Sequence, residues 1–249
     1  MEDDFDEPGL GVSDVIAPPA RRNTDHKSLA RITDPTHPLP AGYRLPFFAP
    51  FCYSPYATSL LAQRSRRLRD QVKRADPTTL AHCTARVATM IHSQVAPEFL
   101  PPDVALVPVP RCIPCDPRNP ISAPVAISRA LHAVGLGRSI WPALRRWRAV
   151  PKSAWSRPGS RPEFLDHYTS LELLDHELPA TRFLLVDDFI TRGRTIMAAA
   201  AVLYQAIPRA HIRAFALIRT EGLAPDIDSI TAPTLGVIRY LGGDAFRSP

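Results

Sequence analysis

Phe183-Leu-Leu-Val-Asp-Asp-Phe-Ile-Thr-Arg-Gly-Arg-Thr195 decides how this chain is read. Four apolar residues lead directly into two adjacent carboxylates, Asp187 and Asp188. The Phe-Leu-Leu-Val run has no polar face, as expected of a central parallel strand covered on both sides. Ligands of such sheets bind at the carboxyl ends of the strands. Two carboxylates there suit sugar hydroxyls, or a hydrated Mg²⁺ held together with a phosphorylated ligand. Thr191 to Thr195 follow and turn into a helical run, Ile196 to Ile207. Free N–H groups and the positive dipole end of that helix make an anion site. Hydroxyls add hydrogen bonds, and Gly193 lets the anion approach. Diol recognition beside a monophosphate cradle describes a ribose 5-phosphate pocket. Neither a Gly-x-x-x-x-Gly-Lys loop nor a Gly-x-Gly-x-x-Gly fingerprint is present.

Outward from this stretch, apolar segments alternate with helical ones. Phe47 to Tyr53, Val104 to Val109, Ser139 to Leu144, Ile212 to Ile218 and Leu235 to Leu241 read as strands. Leu60 to Arg74 reads as an amphipathic helix with Leu61, Leu68, Val72 and Ala75 on its stripe and a basic opposite face. Asp76-Pro77 signals the start of a second helix, from Thr79 to about Gln94, burying Leu80, Cys83, Val87, Met90 and Ile91. Ser122 to Ala133 reads as a third. This order argues for an α/β fold with a mostly parallel central sheet flanked by helices.

Residues 1–45 read as a flexible, Pro-rich N-terminal extension, with five acidic residues among the first seven, and 46–249 as one domain. Net charge is +6, from 27 Arg and 3 Lys against 24 acidic residues. That balance suits a handler of polyanions and equally a nucleic-acid contact. No apolar stretch approaches the ~18 residues of a membrane span, and the acidic N-terminus does not read as a signal peptide. The cytoplasm is the expected location. Four cysteines with one lone pair, Cys112 and Cys115, do not make a disulfide framework.

Val186-Asp187-Asp188-Phe189-Ile190-Thr191-Arg192-Gly193-Arg194-Thr195 resembles the motif with which type I phosphoribosyltransferases bind phosphoribosyl pyrophosphate (PRPP). The family pattern is an apolar strand, two acidic residues, two variable residues and a loop close to Thr-Thr-Gly-x-Thr. Val107-Pro-Val-Pro and the aromatic-strand, helix, Lys arrangement ahead of it are similar to the ComF-like branch. The resemblance implies a type I phosphoribosyltransferase-like fold and Mg²⁺-dependent transfer of ribose 5-phosphate to or from a base, with pyrophosphate release.

Asp187 and Asp188 would take the ribose hydroxyls and the metal. Thr191, Arg192, Gly193, Arg194 and Thr195 would take the 5-phosphate. Pro110, Arg111 and Lys73 would manage pyrophosphate. Arg145 to Pro162 would form a basic lid, with Lys152, Arg157 and Arg161 closing over the leaving group. Arg192 and Arg194 stand where the family has small or hydroxylated residues and are expected to add positive charge to the loop. The paired-Cys zinc module common in ComF-like proteins is missing.

Two other readings fit the same motif. One is a PRPP- or nucleotide-sensing regulatory module. The other is an effector of a bacterial competence or retron-like defence system, controlled by nucleic acid or a partner protein through the basic helix and the acidic N-terminus. A homodimer is common in the family.

Overall fold

The structure is a computed structural model that describes residues 28–30, 38–114, 121–151, 162–174, 180–222 and 225–248. Its main sheet has seven strands: β2 (Arg44–Tyr53), β3 (Ala105–Pro108), β4 (Ser139–Ile140), β7 (Arg182–Ile190), β8 (His211–Thr220), β9 (Thr231–Leu241) and β10 (Asp244–Ser248). Their order across the sheet is β10-β9-β2-β8-β7-β3-β4. β2, β8, β7, β3 and β4 run parallel, while β9 is antiparallel to β2, and β10 to β9. The fold is therefore α/β with a mostly parallel mixed sheet.

Helices cover both faces. α1 (Leu60–Lys73), α2 (Pro77–His92) and α3 (Ala123–Ala133) lie on one side, and α5 (Arg194–Ala206) on the other. The pleat explains why both faces need cover. Neighbours Leu184 and Leu185 are fully buried in opposite core clusters, as are Phe47 and Phe48, because successive strand residues point to opposite faces. α5 carries four consecutive alanines, Ala198–Ala201, all fully buried because the sheet covers one side of the helix and α4 (Phe164–Tyr168) and β6 (Leu171–Leu174) the other. Side chains of that size let a helix lie close to the strands, and larger ones would overpack the contact.

A second, antiparallel sheet of order β1-β6-β5 lies on the α5 side, formed by β1 (Ser28–Ala30), β5 (Leu144–Arg146) and β6 (Leu171–Leu174). β6 and the short α4 (Phe164–Tyr168) pack on α5. Among the described residues, no helix is long and apolar enough to cross a membrane.

Several expectations need correction. The stretch read as an extension contributes β1 and the buried Leu39, and the boundary at residue 45 falls inside β2. Its remaining residues, 1–27 and 31–37, lie outside the described residues. The single strand expected from Ser139 to Leu144 is two, because Pro142 separates β4 from β5. Residues 145–151, read as part of a solvated loop, carry the buried Arg146 and Val150. On α1 the buried residues are Ala62, Ser65 and Val72, with Leu68 packed beside them, and Leu61 is only half-buried. Ser65 is tolerated inside because its hydroxyl donates to the Ala62 carbonyl and accepts from the Ser54 N–H.

Candidate functional site

β7 carries Asp187 and Asp188 to the carboxyl edge of the parallel strands. Asp187 is buried and Asp188 half-buried. One Asp187 oxygen accepts the Asp188 N–H at 2.9 Å, and one Asp188 oxygen accepts the Phe189 N–H at 2.8 Å. Two amide donors cannot satisfy two buried carboxylates. Burial and then the Asp188 charge push the Asp187 carboxyl well above the usual range. Burial also raises Asp188, against the pull of its hydrogen bonds and of Lys73. A buried acidic pair of this kind calls for a cation or for hydroxyl donors.

Each carboxylate has its own nearby cation. Arg146, on β5, bears on Asp187. Lys73, at the end of α1, bears on Asp188 and lies over the Phe189 ring at 5.4 Å. Lys73, expected from the sequence to manage pyrophosphate, is exposed at the end of α1 and faces Phe189.

The Thr191–Thr195 loop turns into α5 through Gly193, which has φ 85° and serves as the helix N-cap without a side-chain cap. The first-turn N–H groups of α5 have no carbonyl behind them. A side chain at residue 193 would bring its Cβ to 2.8 Å from Ile238 of β9. Glycine is thus required by backbone conformation and by space. The Thr191 and Thr220 hydroxyls share a hydrogen bond of 2.8 Å, which ties the loop to the end of β8.

Arg194 differs from expectation. Its guanidinium is bound to Asp244 of β10 and donates to the Pro162 carbonyl at 2.7 Å, so its charge is already paired. Arg192 and Thr191 are exposed, and Thr195 is half-buried at the start of α5. The β9–β10 hairpin therefore supports this loop, with Ile238 under Gly193 and Asp244 against Arg194.

Pro110 and Arg111 follow β3, which adjoins β7 in the sheet. Val109 donates to the Val186 carbonyl at 2.9 Å, so this turn starts level with the approach to Asp187. Arg146 governs its shape. Arg146 is 2% exposed, donates through Nε to the Arg111 carbonyl and bonds the Ser170 hydroxyl through Nη1, while Nη2 is buried without a hydrogen-bond partner. Burial brings its pKa down to about 10. Val150 donates to the Cys112 carbonyl at 2.7 Å, so the start of the expected lid is fastened to the same turn. A cavity of about 130 Å³ opens here, lined among others by Pro110, Arg111, Ser122, Arg145 and Arg146. Arg145 is ion-paired with the buried Glu172 at 2.7 Å. Lys152, Arg157 and Arg161, and Cys115 with them, lie outside the described residues.

Reading the sequence missed Arg146 and its neighbours Ser170 and His167. His167 is buried, its Nδ1 has no partner, and burial and then the Arg146 charge bring its pKa down to about 4. The available signal was the alternation Leu144-Arg145-Arg146, which puts Arg146 on the same buried face as Leu144. Among the described residues, no group of three or more His, Cys, Asp or Glu side chains is gathered for a metal. Two carboxylates alone still fit Mg²⁺, which takes one or two protein oxygens and completes its shell with water and substrate phosphate. The sequence matches no protein-family model and no curated protein.

Proposed function

We propose that this protein is a phosphoribosyltransferase with a type I-like fold, taking PRPP and exchanging its pyrophosphate for a base. The observation that carries this reading is one continuous arrangement. A buried acidic pair ends a central parallel strand and runs, through a glycine in the left-handed region, into an uncapped helix N-terminus. In this reading the ribose hydroxyls donate to Asp187 and Asp188, answering the unmet acceptors there. The 5-phosphate takes the N–H groups of the Thr191–Thr195 loop and the first turn of α5. Pyrophosphate lies toward Pro110 and Arg111, with Lys73 nearby. Mg²⁺, held by Asp187 and Asp188, would neutralise charge on pyrophosphate.

In the transfer, the bond from the sugar C1 to a pyrophosphate oxygen breaks and its electrons leave with pyrophosphate. A nitrogen of the base forms the new bond to C1, and any proton on it is released. The protein's part is positional and electrostatic. Arg146 holds the turn after β3 in shape through the Arg111 carbonyl.

Isothermal titration of PRPP with Mg²⁺, into wild type and into Asp187→Asn/Asp188→Asn, tests the reading, with pyrophosphate release followed across a panel of bases. Binding that the variant loses, together with release that depends on one base, is the expected result. Wild type that binds no PRPP overturns the reading. Binding without turnover for any base leaves the site and assigns it to sensing or to an effector that awaits a partner.

A further inference from the structure

Past the acidic pair, the carboxyl edge holds two further arginines that the reading above does not use. Arg219 stands near the end of β8, paired in register with Ile190 of β7, while Asp187 pairs with Ala216. Arg219 is therefore three residues further along, roughly 10 Å at the rise of a strand. Arg247 comes from β10, in register with Ile238, the residue under Gly193. Arg247 reaches Thr220, the residue that follows Arg219 in β8. Arg247 donates through Nη2 to the Thr220 carbonyl at 3.0 Å, and the Thr220 hydroxyl bonds Thr191.

Both groups have unmet donors. Arg219 Nε and Arg247 Nη1 are buried with no hydrogen-bond partner. Burial and then the Arg219 charge lower the Arg247 pKa, so the two cations stand in each other's field. Among the described residues a single carboxylate, Glu221, is ion-paired with Arg219, and Arg247 bonds only a neutral carbonyl. Two like charges with unanswered N–H groups beside a ligand loop are a standing cost. An anion between them would remove it, and guanidinium groups present the planar, forked donors that match a carboxylate.

We infer that Arg219 and Arg247 form an anion site at the end of β8 and that the group it takes is the carboxylate of the acceptor, a carboxylated nitrogen heterocycle. That the anion belongs to the acceptor rests on the phosphoribosyl reading. That the two arginines hold an anion does not. The placement suits an acceptor because the site lies beyond the acidic pair along the strand and on the side of β7 away from Arg111 and β3, where pyrophosphate is placed.

The test is calorimetric titration of orotate, nicotinate, uracil, nicotinamide and inorganic phosphate, with and without PRPP. The proteins are wild type, Arg247→Gln, and Arg219→Gln/Glu221→Gln, which leaves no orphaned carboxylate. Melting curves confirm that each variant is folded. At least one carboxylated heterocycle is expected to bind ~10-fold or more tighter than its neutral counterpart, and each variant to lose that margin. PRPP affinity in Arg219→Gln/Glu221→Gln is expected to stay within about twofold of wild type. Equal binding of charged and neutral heterocycles, or variants that bind the carboxylates as wild type does, would overturn the inference. Inorganic phosphate displacing the carboxylate at equal or lower concentration would overturn the acceptor assignment. Carboxylates that bind through both arginines in a protein that binds no PRPP would keep the anion site and sink the phosphoribosyl reading instead.

Discussion

The two ends of the same parallel strands treat charge in opposite ways. At the amino edge lies the larger cavity, about 340 Å³, lined among others by Glu98, Phe99, Arg182, His211 and Arg213. Its charges are already answered. Arg182 pairs with Asp103 at 3.3 Å with both side chains half exposed, and Arg213 donates to the Glu98 carbonyl and stacks on Phe99. At the carboxyl edge the cavity is smaller, yet Arg146 Nη2, Arg194 Nε, Arg219 Nε and Arg247 Nη1 are buried without a hydrogen-bond partner, and burial raises the pKa of both Asp187 and Asp188. Volume alone would choose the amino edge, against the proposed site. Desolvated groups without partners are a better guide, because folding gains nothing from keeping them that way.

The strongest way to break this comparison is to neutralise the acidic pair. Asp187→Asn/Asp188→Asn is expected to weaken PRPP binding by at least ~1000-fold, as removal of buried charged partners does. Stability should move the other way. A carboxyl whose folded pKa is raised contributes stability at low pH that is lost as pH rises from the ordinary carboxylate range through the raised folded value. The amide avoids that loss, so the variant should melt at or above wild type at pH 7. A gain of ~1 kcal/mol would show as roughly 2–4 °C. A variant that melts lower would mean the carboxylates are structural.

His167 sharpens the comparison from inside the carboxyl end. Its pKa falls from 6.5 to about 4. The unfolded chain then binds the proton first, so stability is intact above pH 6.5 and lost as pH falls toward 4. The full loss is roughly 3 kcal/mol. The Asp187–Asp188 contribution runs in the opposite direction and is common to both proteins when wild type is compared with His167→Leu. Urea unfolding at pH 7 and pH 4.5 should therefore show a smaller acid loss in the variant. Equal losses would place the His167 ring in solvent.

Gly193→Ala is expected to cost ~1–3 kcal/mol in urea unfolding, since φ of 85° and a 2.8 Å approach to Ile238 both oppose a Cβ. It should also weaken binding at the loop. The smallest effect belongs to the amino edge. Arg182→Ala should change stability by less than ~0.5 kcal/mol and leave PRPP binding as in wild type. A large effect on binding there would reverse the assignment of the two ends.

What could be read from the sequence follows from how the site is assembled. Asp187, Asp188 and Gly193 were legible because strand, acidic tip and loop are consecutive. Lys73 was legible because it ends a helix whose period is clear and is one of few lysines. Arg146, His167, Arg219 and Arg247 were not legible. They come from β5, α4, β8 and β10, and only the sheet order brings them to one edge. The charge of Arg194 was misjudged for the same reason, since Asp244 is fifty residues away in sequence and adjacent only after β10 joins β9. Six of the seven strands of the main sheet were found because apolar runs are local, while β10 was missed. β5 and β6 were hidden because each is short and carries a buried charge, Arg146 in one and Glu172 in the other.

The support given by β9 and β10 to the Gly193 loop has a consequence during synthesis. β2 is made early yet pairs with β9, with Arg44 opposite Arg239. Ile238, Asp244 and Arg247 reach the loop only after that pairing. A ribosome-bound chain that has emerged through α5 would hold every residue of the acidic motif and still lack its scaffold. On the phosphoribosyl reading, ligand therefore cannot guide the early stages of folding, and its capture should begin only once β10 has joined β9.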